Sequence, residues 1–370
     1  GHVKVKAQKN LFIAKFQVFK SAQLHGILLW QSTGANLPET GPYMKQRHLF
    51  IIDPLEELNL KLDSSLRMAR SLARRGHRVF FATLRDLSWR SGKTAAWARC
   101  VEATFASDQV QPRLESKIPH SLAEFQGIHM RKDPPFDLPY IETTWLLDSV
   151  AGRVKIYNEP AALRRFNEKL SILLFPDAIR PALVSSDCHE IIEFIGRECH
   201  GDAVIKPLAL FGGRGVERIE LERDKDPARV VEKITAMTRD GVEKRIVQPF
   251  DPRVFDGEVR AFCVGGEPVA WCLKRPGRGE FLANTRAGAT LESYKPTLDD
   301  LARVKNVAAR LALEGAPIVG FDLIGGFISE INLTSPRLLM PAGQESAELQ
   351  AYDHFAHWVE RDADHPSSPK

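Results

Sequence analysis

The sequence predicts an α/β protein in two parts, an N-terminal Rossmann-like parallel-sheet domain followed by an α+β region. Three observations carry this. Strand-length apolar runs flank an amphipathic helical segment over residues 48–82, the order of a βαβ unit, which requires a parallel sheet. Beyond residue 250, strand-like runs come in pairs joined through Gly-Gly, a hairpin signal. The chain of 370 residues also exceeds what one hydrophobic core normally holds.

Taken in order, His48–Ile52 is a strand ending at Asp53-Pro54. Asp63-Ser64-Ser65 offers N-cap chemistry to a helix carrying Leu66, Ala69 and Leu72 at helical spacing, and Gly76 closes it before strand Arg78–Ala82. Strand Gly127–Met130 leads into Arg131–Asp137, where two prolines forbid regular structure. A charged loop at a strand's C-terminal edge is where open α/β sheets bind ligands. Pro160 opens a helix expected to run through Lys169. Strands follow at 203–206, 215–221 and 245–248, with a helix near 227–239. Strands 258–264 and 268–275 turn at Gly265-Gly266, and strands 318–324 and 327–333 turn at Gly325-Gly326. Between these hairpins, Leu298, Leu301, Val304, Val307, Ala308 and Leu311 form one helical stripe. The expected division is an extension over 1–43, domains over 44–160, 161–249 and 250–360, and a tail over 361–370.

A hydrophobic content of 44% and a charged content of 26% exclude a disordered or fibrous chain. No apolar run approaches the roughly 18 residues of a membrane span, so no membrane partner is expected. The net charge of +4 resides in the first 47 residues, where seven basic side chains meet one acid. The body is therefore slightly acidic, unlike a nucleic-acid binder. Five scattered cysteines without a CxxC suit reduced thiols in the cytoplasm.

Three groups carry chemistry. Lys206 ends a strand before a glycine cluster, Gly212-Gly213-Arg214-Gly215, where backbone N–H groups and an ammonium can grip phosphate. A plain hairpin turn beside a surface lysine fits the same string equally well. Asp322, Glu330 and Asn332 fall on neighbouring antiparallel strands that are otherwise apolar. Charges there are costly unless compensated, and hard oxygen donors in this pattern suit Mg²⁺ bridging to phosphates. Arg260, Lys274-Arg275 and Lys169 supply cations where negative charge would develop. The histidines show no metal-ligand spacing, and no GxGxxG follows the first strand, which discounts a dinucleotide-binding dehydrogenase.

Together these strings resemble the bacterial glutathione synthetase family of ATP-grasp ligases. The resemblance runs in order through Leu62-Asp63-Ser64-Ser65, Met130-Arg-Lys-Asp-Pro-Pro-Phe-Asp137, Asn167-Glu168-Lys169, Lys206-Pro207-Leu208 and Gly212-Gly213. It continues through Gln248, Asp256-Gly257-Glu258-Val259-Arg260, Gly320-Phe-Asp322 and Glu330-Ile-Asn332-Leu-Thr334-Ser335-Pro336. It implies a pre-ATP-grasp domain followed by a two-lobed α+β ATP-grasp domain. The implied activity is ATP-dependent joining of γ-glutamylcysteine and glycine through an acyl-phosphate, with ATP and Mg²⁺, Mn²⁺ as an alternative ion, and a dimeric or tetrameric homo-oligomer. By the same resemblance Lys169, Lys206, Gly212 and Gly213 hold the phosphates. Gln248, Pro249, Phe250 and Asp251 hold adenine, and Asp256 the ribose. Asp322, Glu330 and Asn332 are the metal ligands, and Arg260 and Arg275 the catalytic cations. Ser65, Arg131, Asn284, Gly288 and Ser335 face the substrates. Pro276–Glu280 resembles a mobile lid. The chain leaves the family pattern at Ala209-Leu210 and again at Arg337-Leu-Leu-Met-Pro341. A paralogous ligase with another donor or acceptor, or a nucleotide-binding regulator without turnover, are the alternatives.

Overall fold

The computed structural model describes residues 45–364, apart from 61, 92, 94, 107–110, 211, 224–225 and 285–287. The expected extension over 1–43 and the end of the expected tail, 365–370, lie outside the described residues.

The first sheet assembles as the βαβ pattern requires. Strands β1 (Arg47–Ile51) and β2 (Arg78–Ala82) pair in parallel, joined through helix α1 (Ser64–Arg74). The Asp63 side chain caps α1 by accepting from the Leu66 N–H at 2.9 Å. Short β3 (Leu87–Ser88), β5 (Arg113–Leu114) and β6 (Ile118–Ser121) border β4 (Trp97–Thr104), which pairs antiparallel with β2. Nothing in the sequence singles out β4. Its inward residues, Ala98, Cys100 and Ala103, are small and carry weak strand preference. On the other side, β7 (Gly127–Met130) and β8 (Lys155–Tyr157) extend the parallel sheet from β1, with helix α2 (Leu138–Asp148) between them.

Helix α3 (Pro160–Arg165) is shorter than expected and does not reach Lys169. Asn167 stops it. Its Oδ1 accepts from the N–H groups of Lys169 and Leu170, both at 3.0 Å, in place of helical carbonyls. Lys169 therefore stands on a turn.

The second sheet is antiparallel, in the order β11-β10-β12-β9: β9 (Leu183–Ser185), β10 (Asp202–Pro207), β11 (Glu217–Glu220) and β12 (Arg245–Pro249). Helices α4 (Cys188–Glu198) and α5 (Pro227–Met237) bury Ile191, Ile195, Val230 and Ile234 against it.

The third sheet positions the site. Its order is β15-β14-β13-β16-β17, comprising β13 (Glu258–Val264), β14 (Glu267–Arg275), β15 (Thr290–Ser293), β16 (Ile318–Ile324) and β17 (Phe327–Asn332). One face presents Val259, Ala261, Phe321, Leu323 and Ile331 to Val304, Val307, Ala308 and Leu311 of helix α6 (Leu298–Leu313). On the opposite face Phe262, Val264 and Ile318 share a core with α1 and with helix α7 (Glu345–Asp364). The chain expected to be tail from 361 thus continues a helix to Asp364. The rest of that second face is polar and opens into the cleft.

Candidate active site

Two β-bulges decide which side chains reach the cleft. A simple two-residue Gly265-Gly266 hairpin would place Arg260 and Arg275 on one face. In the structure the register shifts at Phe262/Cys263, so Arg260 opposes Cys272 and Glu258 opposes Lys274. Pro268 lies beside the irregularity, and a strand proline lacks the N–H of a regular ladder. The second shift lies between Asp322 and Leu323, leaving Ser329 unpaired and Glu330 opposite Asp322. Ser329 compensates by donating its Oγ–H to the Asp322 carbonyl at 3.1 Å. Each bulge turns a charged side chain from the packed face to the open one, a frequent role of bulges near active sites.

Glu258, Arg260, Lys274, Asp322, Glu330 and Asn332 consequently share one face. Asp322 is the hub. Its Oδ2 accepts from Arg260 Nη1 at 2.8 Å and from Asn332 Nδ2 at 2.9 Å, and its Oδ1 from Lys274 Nζ at 2.6 Å. Burial alone would raise Asp322, but Arg260 and Lys274 hold its carboxyl well below the usual range. On Lys274, burial acts downward, but the carboxylates of Asp322 and then Glu258 outweigh it and push the ammonium above the usual lysine range. Glu258, also bonded to Lys274, is raised to about 7 by burial. Gly320 leaves room for the guanidinium, since a Cβ there would lie 3.1 Å from Arg260 Cζ.

Lys169 and Lys206 approach from the other side. Lys169 Nζ donates to the Leu210 carbonyl at 2.5 Å and to Glu330 Oε1 at 3.2 Å, tying the glycine loop to β17. Lys206 Nζ donates to Gln248 Oε1 at 2.9 Å, and burial lowers its pKa. Gly212, Gly213 and Gly215 adopt φ of +65°, +77° and +67°, the left-handed region that suits glycine. Asn284 Nδ2 donates to the Gly212 carbonyl at 2.6 Å and so supports the glycine loop.

These groups line a cleft of about 490 Å³ together with Pro249, Phe250, Asp251 and Ser335. Lys169, Lys206, Arg260 and Lys274 gather around the carboxylates of Glu258, Asp322 and Glu330, and over the whole lining seven cations meet six carboxylates, a small excess of positive charge that suits a polyphosphate. Two cross-strand carboxylates and an adjacent amide are hard donors that fit Mg²⁺ at the phosphates.

The structure places five of the expected site residues away from the cleft lining. Arg275 points away from the cluster, where Glu292 binds its Nε and Nη2 at 2.6 and 2.9 Å, and Lys274 takes its place in the cleft. Asp256 is exposed outside the cleft with its carbonyl on Arg275, whereas Glu258 lines the cleft. Gly288 is exposed and away from the lining. Ser65 and Arg131 are buried behind the wall: Arg131 Nε donates to Ser65 Oγ at 3.1 Å and its Nη2 to the Pro336 carbonyl at 2.8 Å. Glu168, beside Lys169, has a structural role that its sequence position alone does not reveal. Its Oε1 accepts from Leu333 N, Thr334 N and Thr334 Oγ1 at 3.0, 3.1 and 2.8 Å, fixing the chain that leaves β17.

The prokaryotic glutathione synthetase N-terminal domain matches residues 46–164, and the prokaryotic glutathione synthetase ATP-grasp domain matches residues 168–343. The chain belongs to the prokaryotic glutathione synthetase family. A glutathione synthetase of Vibrio parahaemolyticus is 34% identical over 296 residues, covering 77% of this chain and 89% of that protein. One of Pseudomonas syringae pv. tomato is 35% identical over 295 residues, covering 79% and 90%. Among solved structures, the D-cycloserine synthetase DcsG superposes with a TM-score of 0.59 at 14% identity, covering 85% of this chain and 99% of that one. A RimK domain ATP-grasp protein from Sphaerobacter thermophilus gives 0.53 at 14% identity, covering 85% and 99%. At such identity these two show the fold alone. The family member described here is an ATP-dependent ligase. Among its described residues, no helix is long and apolar enough to cross a membrane.

Proposed function

We propose that this enzyme joins γ-glutamylcysteine to glycine, with ATP converted to ADP and phosphate. The observation that carries the reading is the shared face on which Arg260, Lys274, Asp322, Glu330 and Asn332 meet Lys169 and Lys206 beside a glycine loop. A carboxylate is a poor electrophile, so ligation needs it converted to a better one.

Lys169, on the turn after α3, and Lys206, near the end of β10, bind the phosphates of ATP, with Gly212 and Gly213 offering backbone N–H groups. Pro249, Phe250 and Asp251, at the end of β12, border the nucleotide base, and Glu258 is the carboxylate placed for the ribose. The donor carboxylate attacks the γ-phosphorus, and the P–O bond to ADP breaks. Arg260 stabilises the negative charge that develops on the transferred oxygens. The glycine amine then attacks the acyl carbon, the C–O bond to phosphate breaks, and the amine loses a proton. Glu330 and Asn332, with Asp322, would hold Mg²⁺. When bound, the ion supplies charge neutralisation at the phosphates. Ser65 and Arg131 act as positioning residues for the Pro336 segment that presents Ser335.

The same reading places the enzyme in the cytoplasm as a homo-oligomer, with Mn²⁺ able to replace Mg²⁺. Its support is family resemblance and five free cysteines. Phosphate release from ATP, measured with γ-glutamylcysteine plus glycine and with other amines, tests the function. Release that requires both γ-glutamylcysteine and glycine supports it. Release with an unrelated donor alone points to a paralogous ligase.

A further inference from the structure

Asp133, on the loop after β7, and Arg337, on the segment after β17, form an ion pair with Arg337 Nη2 2.8 Å from Asp133 Oδ2. Both line the cleft. Their backbones are firmly mounted. The Asp133 N–H donates to Asp53 Oδ2 at 2.9 Å, and Lys132 Nζ bridges Asp53 and the Asp133 carbonyl. The Arg337 carbonyl accepts from Arg260 Nε at 3.4 Å, which sets the pair beside the Arg260–Asp322 hub. The neighbouring Pro336 carbonyl is held by the buried Arg131.

The Arg337 and Asp133 side chains nevertheless retain 39% and 26% exposure, respectively. An ion pair this accessible contributes little to stability, so a ligand can exchange into it at little cost. The other cations around the hub are engaged differently. Arg260 and Lys274 hold the buried Asp322, Lys169 holds Glu330, and Lys206 holds Gln248. Arg180, at the nucleotide end, lies over the Phe327 ring and bonds Asp251.

We propose that the Asp133–Arg337 pair is the binding site for the acceptor amino acid, with Arg337 receiving its α-carboxylate and Asp133 the N–H groups of its amine. A small zwitterion carries opposite charges one carbon apart, so it can insert between an opposed pair and give each a partner. A simple amine or a simple carboxylic acid would satisfy one and leave the other unpaired, which disfavours it. Arg337 suits the role because a guanidinium can grip a carboxylate with two parallel N–H bonds. The inference rests on the ligase reading above and specifies its acceptor site.

The test compares kcat/KM for glycine and glycinamide, which lacks the carboxylate, in the wild type and in the Arg337→Met, Arg337→Lys and Asp133→Asn variants. The expected wild type prefers glycine by about tenfold or more, the scale of a charge-assisted bidentate contact. Arg337→Met should raise the glycine KM and abolish that preference, with the KM values of ATP and γ-glutamylcysteine within about twofold of wild type. Arg337→Lys should recover part of it. Asp133→Asn should weaken both acceptors alike. Equal use of glycine and glycinamide by the wild type overturns the site without any variant. A glycine preference undiminished in either Arg337 variant, with glutathione still formed, also overturns the site alone. A wild type that forms no glutathione overturns the ligase reading as well.

Discussion

Asp322 and Glu330 stand directly opposite each other across β16 and β17 because Ser329 is bulged out of the ladder between them. Counted straight back from the Gly325-Gly326 turn, Glu330 would instead oppose Phe321 and point into the packed face with Leu323 and Ile328. The bulge thus converts an unfavourable buried carboxylate into a cleft-facing one that bonds Lys169.

The metal assignment predicts that Glu330→Gln lowers kcat by about 100-fold or more, the scale of losing a group that acts in the transition state, with little change in Tm. Steady-state kinetics across an Mg²⁺ titration, alongside thermal unfolding, check this. Near-wild-type turnover at saturating Mg²⁺ would remove Glu330 from the metal set.

Lys206 separates phosphate recognition from base recognition. Lys206→Ala should weaken ATP by about tenfold or more and adenosine by less than about twofold, because its ammonium reads only the phosphates. Calorimetric titration of both ligands is the measurement. Equal losses would show that Lys206 acts through Gln248 and the strand.

The β14 bulge predicts opposite fates for adjacent cations. Lys274→Met should cost about 100-fold in kcat and destabilise the fold by about 3–5 kcal/mol, because Asp322 and Glu258 lose a buried partner. Arg275→Met should change either by little, since its ion pair with Glu292 is solvated. Urea unfolding and kinetics on the two variants would expose a wrong register by reversing this order.

That pair also shows what the sequence made legible. Period-two alternation and the Gly-Gly turns suffice to find the strands and to place Glu330 and Asn332 on one face of theirs. A bulge, however, leaves no periodic signature. Counting regularly from Gly265-Gly266 selects Arg275, and only Pro268 inside the strand hinted that the ladder breaks. Lys169 was found as a cleft lysine but on the wrong element, because Asn167 ends α3 with its own side chain. Asp133 and Arg337 lie 204 residues apart, and no local pattern could pair them.

Acid stability should depend on His48. It is fully buried between Gln46 and His129, and burial, then the charge of His77, pushes its pKa down to about 3. Between that value and the ordinary 6.5 the unfolded chain binds the extra proton, so stability falls as pH drops below about 6.5. His48→Gln should therefore lose about 2 kcal/mol less than wild type on acidification from pH 7 to pH 5, with His129 leaving part of the slope. Denaturant unfolding at the two pH values checks it. Parallel losses in the two proteins would show that His48 is not the titrating group.

On the ligase reading, this cleft phosphorylates the donor carboxylate before the peptide bond forms. The direct measurement is turnover of γ-glutamylcysteine labelled with ¹⁸O in its cysteinyl carboxylate, in the presence of glycine, ATP and Mg²⁺. The acyl-phosphate route predicts that each glutathione formed is matched by one phosphate carrying one ¹⁸O from that carboxylate. Glutathione formed with unlabelled phosphate, or labelled phosphate without glutathione, would contradict it.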